Sequence, residues 1–268
     1  MRYAKVKRER IGICNLCCNV APLSWDHVPP KGSYEAGPSE IKTVFDTLTS
    51  TDGGRISTRD SQSGLKFRTI CKACNEWLGA ELDPTYISFS RQIGQLINSK
   101  LHLPNRIKIS TFPNRLVRAI IAHLLAVKVD MDNALFEQCA RKCARNLQYP
   151  IPECINIFYW VYPYSTQVAV RDVGMLFRRG HFGGKIMFCH LLKGYPIAFL
   201  VTNSTAYESL PSMLPYMSNY PDYECEIEID LSRVEDRDWP ERVDEGNLLI
   251  GGHSFSSSVV SSPRNAKC

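Results

Sequence analysis

A chain of 268 residues, 44% apolar and 22% charged, has the composition of an ordinary folded protein, which excludes disorder, collagen and coiled coil. It is long enough for one large domain or two small ones, and no apolar run approaches the ~20 residues of a membrane span. The net charge of +5 is unevenly spread, with +9 on residues 1–150 and −4 on residues 151–268. A one-sided basic surface suits a polyanion, because each neutralised phosphate releases counterions, although a solvated face with no partner carries the same charge.

The basic N-terminus MRYAKVKRER is followed by no apolar stretch, so no secretory signal is expected and the chain reads as cytoplasmic. Residues 11–31 read as a short knuckle. A Cys-x-x-Cys turn leads into a strand-like stretch, Val20 to Trp25, that ends at Asp26-His27, and Pro29-Pro30 forces an extended exit. Residues 32–66, rich in Gly, Ser, Thr and Asp, read as a long mobile loop. Phe67–Ile70 is a short strand leading into Cys71-Lys72-Ala73-Cys74, and a helix follows. Asp83-Pro84 resembles an N-cap with proline at the first helical position, opening a helix with Tyr86, Phe89, Ile93, Leu96 and Ile97 on its apolar stripe. Two prolines mark a boundary at 102–113. Helices are expected over 114–130, apolar nearly all round and therefore buried, and over 133–147, with Arg141, Lys142 and Arg145 on its polar side.

From residue 155 the texture changes to strands separated by turn residues, and an antiparallel sheet is the natural reading. The strand YECEIEIDL alternates strictly, placing Glu224, Glu226, Glu228 and Asp230 on one face. Such a row reads as a charged, solvent-facing strand protected from edge pairing, in preference to a phosphate mimic. The tail 253–268 is polar and reads as disordered. The expected division is 1–103, 104–252 and this tail.

Eleven cysteines, an odd number, argue against a disulfide framework. Cys139, Cys143, Cys154, Cys189 and Cys225 lie in or beside apolar stretches and read as small core residues, and Cys268 as a loose end. The remaining five form two clusters, Cys14-x-x-Cys17-Cys18 and Cys71-x-x-Cys74, 53 residues apart. Four thiolates satisfy tetrahedral zinc completely, which makes the metal structural. Cys14, Cys17, Cys71 and Cys74 have the usual knuckle spacing, with Cys18 as a rival to Cys17.

A zinc clamp would also gather the residues next to the cysteines. Asp26 and Asn75 offer a carboxylate and an amide oxygen, hard donors suited to Mg²⁺ or Mn²⁺. His27 has the pKa range of a general base, but on a regular strand it points away from Asp26 unless the prolines distort the chain. The ordered set C-x-x-C, D-H-V-P-P-K, C-x-x-C-N resembles the zinc-bearing branch of the HNH (His-Me finger, ββα-metal) nucleases, near the phage resolvase endonuclease VII. The resemblance covers about residues 11–82 and lacks the middle Asn of many relatives, since none occurs between Asn19 and Asn75. It implies an α+β protein in which an N-terminal zinc-stapled ββα-metal knuckle precedes helices and a C-terminal antiparallel-sheet domain. It further implies an endonuclease in which Asp26 and Asn75 hold a catalytic Mg²⁺ or Mn²⁺ and His27 activates the attacking water.

Arg2, Lys5, Lys7, Arg8, Arg10, Lys31, Arg68 and Lys72 are the expected phosphate contacts, and double-stranded DNA is the expected partner. Members of the family often carry extra domains in bacterial defence and mobile-element systems, so a regulatory partner or a second copy of the chain is a further expectation. The alternatives are a non-catalytic zinc-knuckle binding module and a nuclease gated by residues 104–268. Among the other histidines, His123 lies in an apolar helix and reads as a satisfied buried residue. His181 reads as part of a turn, and His102, His190 and His253 have no companions.

Overall fold

The computed structural model describes residues 4–49, 57–130, 135–153, 155–177, 184–205, 207, 209–220, 222–232, 236–242, 247–251 and 258–264. Two sheets flank a buried helical layer. The smaller sheet is built by β1 (Ile11–Ile13), β2 (Val20–His27) and, later in the chain, a strand that leads directly into the second cysteine pair. Between them β3 (Ser39–Thr43), α1 (Val44–Thr49) and β4 (Arg59–Ser61) leave for the larger sheet. The chain returns in β5 (Lys66–Cys71), completing an antiparallel sheet of order β1-β2-β5, and continues into α2 (Lys72–Glu81) and α3 (Asp83–Ile97). β2, β5 and α2 thus lie around the four cysteines, with β3, α1 and β4 inserted between the two strands.

Next come β6 (Arg106–Thr111), α4 (Pro113–Val127), α5 (Leu135–Arg145), β7 (Asn156–Val161), β8 (Gln167–Phe177), β9 (Ile186–Gly194), β10 (Ile197–Thr202), β11 (Cys225–Asp230), β12 (Asn247–Gly251) and β13 (Val259–Pro263). The larger sheet has the order β4-β3-β13-β8-β9-β10-β7, with β12 also on β8, and its described pairings are antiparallel. Both of its faces are covered, as the side-chain alternation of β7 shows. Ile157, Tyr159 and Val161 join the main core, whereas Phe158 and Trp160 join a second cluster with Tyr207 and Trp239.

The helix α4 is buried along almost its whole length, as its all-round apolar sequence requires. It packs on α3, α5, β5, β8 and β9, and so forms the spine between the two sheets. The main core runs without a break from Leu16 in the turn after β1 and Phe67 on β5, through α3 and α4, to Phe199 in the large sheet.

Several sequence expectations are corrected. Part of the stretch 32–66 is structured as β3, α1 and β4, and residues 259–263 of the expected tail form β13, seated between β3 and β8. Because these segments share one sheet with β7 to β10, the boundaries at 103 and 252 do not separate structural units. The acidic row of β11 does not stand alone in solvent. It pairs with β6, and diagonal ion pairs join Glu226 to Lys108 at 3.4 Å and Glu228 to Arg106 at 3.0 Å across an exposed ribbon. On α5, Arg141 is buried and donates to the Asn15 carbonyl at 2.8 Å, so that residue is not part of a solvated face.

Candidate metal centre and catalytic site

The four cysteines meet where β1 and β2 join β5 and α2. The sulfurs of Cys14, Cys17, Cys71 and Cys74 all lie within 4.8 Å of one another, and those of Cys17 and Cys71 are 3.9 Å apart. Zinc–sulfur bonds of about 2.3 Å in a tetrahedron place sulfurs about 3.8 Å apart, so the cluster fits a metal such as zinc. Backbone N–H groups of Leu16 and Cys71 point at the Cys14 sulfur, at 3.4 and 3.2 Å. A hydrogen bond from the Cys74 thiol, with these N–H groups, holds the Cys14 thiol down at about 4, and its donor Cys74 is pushed up in turn. Cys18 stands outside the cluster. It is exposed, at a φ of 61° that carries the chain around the knuckle turn.

The cysteine-bearing unit is fastened to the carbonyls at the C-terminal end of α4. Asn15 Nδ2 donates to Leu125 O at 2.7 Å and to Lys128 O at 2.6 Å, and Thr69 Oγ1 donates to Ala126 O at 2.5 Å. Arg8 donates to Val129 O at 2.5 Å, to Lys128 O at 2.9 Å, to Ile13 O at 2.7 Å and to Asn15 Oδ1. A guanidinium at a helix C-terminus also complements the dipole. Arg8 is therefore a structural tie and not a free phosphate contact. Arg8→Ala is expected to strip donors from several carbonyls and cost about 2–4 kcal/mol. A drop of roughly 5–10 °C in the thermal midpoint, with metal content retained, is the measurement that checks it.

The other expected phosphate contacts divide in the same way. Arg68 donates to Arg8 O at 2.7 Å and lies over the Trp25 ring, so it too is held within the unit. Lys5, Lys7, Arg10, Lys31 and Lys72 are exposed, Lys5 lying 4.0 Å from Asp130 and Lys72 3.5 Å from Glu76. Arg2 lies outside the described residues.

The strand β2 carries Asp26 and His27 at its end. Its irregularity falls between Ser24 and Trp25, and the register then runs regularly through Asp26↔Phe67 and His27↔Lys66. The prolines therefore do not bring the two side chains onto one face. Asp26 turns inward and is 4% exposed, with Oδ2 3.3 Å from His123 Nδ1 on α4. His27 turns the other way and is half-buried. Its Nε2 lies 3.4 Å from Ser63 Oγ, and it lines a cavity of about 320 Å³ with Pro29, Lys31, Arg91 and Gln167. Burial, then the charges of Lys66 and Lys31, hold the His27 imidazole down at about 4. Asn75, in the first turn of α2, donates its amide N–H to Trp25 O at 2.9 Å and to Ser24 Oγ at 3.2 Å. The clamp thus sets Asn75 on β2 one residue before Asp26.

Two residues of this neighbourhood were given no part in the site by the sequence, Asp83 reading as a helix cap and His123 as a buried core residue. Asp83 does not cap α3. The N-cap is Leu82, and the Asp83 carboxylate reaches His123 Nε2 at 2.9 Å. Burial opposes charge on His123, but the carboxylates of Asp83 and Asp26 outweigh it and hold the imidazole up at about 10. Burial in turn raises Asp26 against the pull of His123. The Asp26 Oδ2 and His123 Nδ1 atoms, though close, are not aligned as a hydrogen bond, and both are buried polar atoms without a hydrogen-bond partner. The Asp26 carboxylate thus faces His123 on α4, while the Asn75 amide is engaged by Trp25 O and Ser24 Oγ.

No helix among the described residues is long and apolar enough to cross a membrane. No protein-family model matches this chain, and neither the curated proteins nor the solved structures give a match.

Proposed function

We propose that this chain is a metal-dependent endonuclease of the HNH type, hydrolysing phosphodiester bonds with double-stranded DNA as the substrate class. The observation that carries the reading is the four-thiol cluster in a β-β-α unit, which sets Asn75 against β2 beside Asp26-His27. In-line displacement at phosphorus requires a base on the side opposite the leaving oxygen. His27, uncharged at neutral pH and at the mouth of an open cavity, takes the proton from water. Lys31 and Arg91, which share that cavity, bind and orient the phosphate. Asp26 and Asn75 would hold a divalent ion, whose charge would stabilise the leaving 3′ oxygen.

The test is nicking of supercoiled plasmid in Mg²⁺ or Mn²⁺. His27→Ala is expected to lower the rate about a hundredfold or more. Equal cutting by variant and wild type overturns the assignment.

One observation favours a second reading. Asp26 is enclosed by α4, which suits a core residue in a zinc-knuckle module that binds nucleic acid without cutting it. That reading expects salt-sensitive binding by wild type and His27→Ala alike, with no cleavage and no response to Mg²⁺.

A further inference from the structure

The cavity beside His27 continues into a second one. Gly32, Tyr34, Glu35 and Arg91 line it and also line a neighbouring cavity of about 720 Å³, so the two adjoin along one groove. Both volumes suit a small-molecule site, usually about 300–1,000 Å³. The groove runs between residues 32–35, α3 and the turn from β9 to β10, and close contacts fix its walls. Arg91 Nε on α3 donates to Gly32 O at 2.7 Å. Gly194 ends β9, and a Cβ there would lie 2.9 Å from the Pro29 ring, so the sheet is pressed against the His27 side of the groove. Gly94 on α3 admits the Tyr195 ring, which a Cβ would meet at 3.2 Å. The Tyr195 hydroxyl donates to Gly94 O at 3.2 Å, and the Tyr34 hydroxyl to Ser165 O at 3.5 Å. With their hydroxyls tied to backbone, the two rings stand 5.7 Å apart at 48° and offer the cavity aromatic surface. Ser90, Gln95 and Asn98 add a hydroxyl and two amides to the same lining.

We propose that the cavity at Tyr34 and Tyr195 is a nucleobase subsite, which holds a base of the DNA strand whose phosphate lies at Lys31 and Arg91. The proposal rests on the nuclease reading for that phosphate and assigns the neighbouring space. Aromatic side chains stack any base, while amides and hydroxyls pair with its edge. Arg91, common to both cavities, stands at the step from phosphate to base. Glu35, the one acid in the lining, only accepts hydrogen bonds when ionised, which favours bases that carry an amino group. A base inside a duplex has both faces covered by its neighbours, so the base taken here is one turned out of the stack. Tyr195 belongs to the large sheet's β9–β10 turn, so residues beyond 103 complete the substrate site instead of standing apart from it.

The experiment titrates full-length protein into a short thymidine-rich DNA strand that carries one fluorescent aminopurine, a base whose emission is quenched on stacking. No divalent ion is added, so the strand stays whole. Wild type is expected to quench the probe. Tyr195→Ala and Tyr34→Ala are each expected to lose most of the quenching and to weaken binding about tenfold. Tyr195→Phe keeps the ring and is expected to retain both, and thermal midpoints show whether each variant is folded. Tyr34 lies outside the helices and strands, so its variant tests the site even if Tyr195→Ala unfolds. No quenching by wild type, or unchanged quenching and affinity in the folded alanine variants, overturns the proposal. So does deoxyadenosine monophosphate that binds at the tyrosines and is not displaced by the strand, which makes the cavity a site for a free nucleotide. The nuclease reading is judged separately, by His27-dependent nicking. Nicking without tyrosine-dependent quenching removes the subsite and leaves the nuclease, and quenching without nicking leaves the subsite on a binding module.

Discussion

Cys71→Ser is expected to release the metal from the thiolate cluster and to lower the thermal midpoint by about 10–20 °C. Cys71 ends β5, starts α2 and sits within 4.8 Å of three other sulfurs drawn from segments more than fifty residues apart. The first of those segments is too small to hold its own shape. It has a three-residue strand, β1, whose Ile11 and Ile13 are exposed, and among its apolar side chains chiefly Val6 and Leu16 are buried. A structural zinc supplies on the order of 10 kcal/mol to folding, and a serine hydroxyl is a poor replacement for a thiolate. Loss of even half of that figure accounts for the predicted shift, at about 2–4 °C per kcal/mol for a chain of this size. Cys18→Ser provides the control, since the exposed Cys18 is outside the cluster. Metal analysis and thermal unfolding of the three proteins check the prediction. A wild type without metal that melts together with Cys71→Ser would remove the clamp from the account of the fold.

The sequence revealed what depends on local chemistry. Thiol spacing located the four-sulfur cluster, because metal ligation leaves a short-range pattern in the chain. The all-round apolar character of α4 announced its burial, and the alternating and apolar runs after residue 155 announced a sheet. Where tertiary contacts compete with local grammar, the reading failed in specific ways. Asp83-Pro84 has the form of a helix cap, but a buried imidazole 40 residues away takes the carboxylate. Arg8 and Arg141 read as surface charge because nothing in the chain shows that the Asn15 and Val129 carbonyls await donors. Asp26-His27 was legible as a pair, yet its division between two faces of β2 depended on where the strand bulges, one residue upstream of the pair. His123 was the only histidine in a strongly apolar helix. Burial of that kind always demands a partner, and the sequence could raise the question without answering it.

The segment that reads as a disordered tail carries the second large effect. A chain ending at residue 257 is expected to lose β13 and with it the middle of the sheet. Val259 pairs with Thr43 on β3 and with Ala169 on β8, so its removal leaves two strands with a line of unpaired backbone groups. Unpaired strand edges of this kind favour association with other chains. Serines made the tail look polar, but Ser258 is fully buried, its Oγ donating to Arg171 O at 3.1 Å, and Ser261 Oγ meets Ser39 Oγ at 2.9 Å. Val259→Asp is the point version of the truncation, placing a carboxylate in the core at a cost of about 4 kcal/mol or more. Both changes are expected to give aggregation or a midpoint lowered by roughly 10 °C. The consequence reaches the proposed site, because β8 carries Gln167, whose Oε1 accepts the Leu65 N–H at 2.8 Å and whose side chain lines the His27 cavity with Ser63. Loosening β8 therefore loosens the wall against which His27 is set. Full solubility and an unchanged midpoint for the shortened chain would show that β3 and β8 hold together without β13.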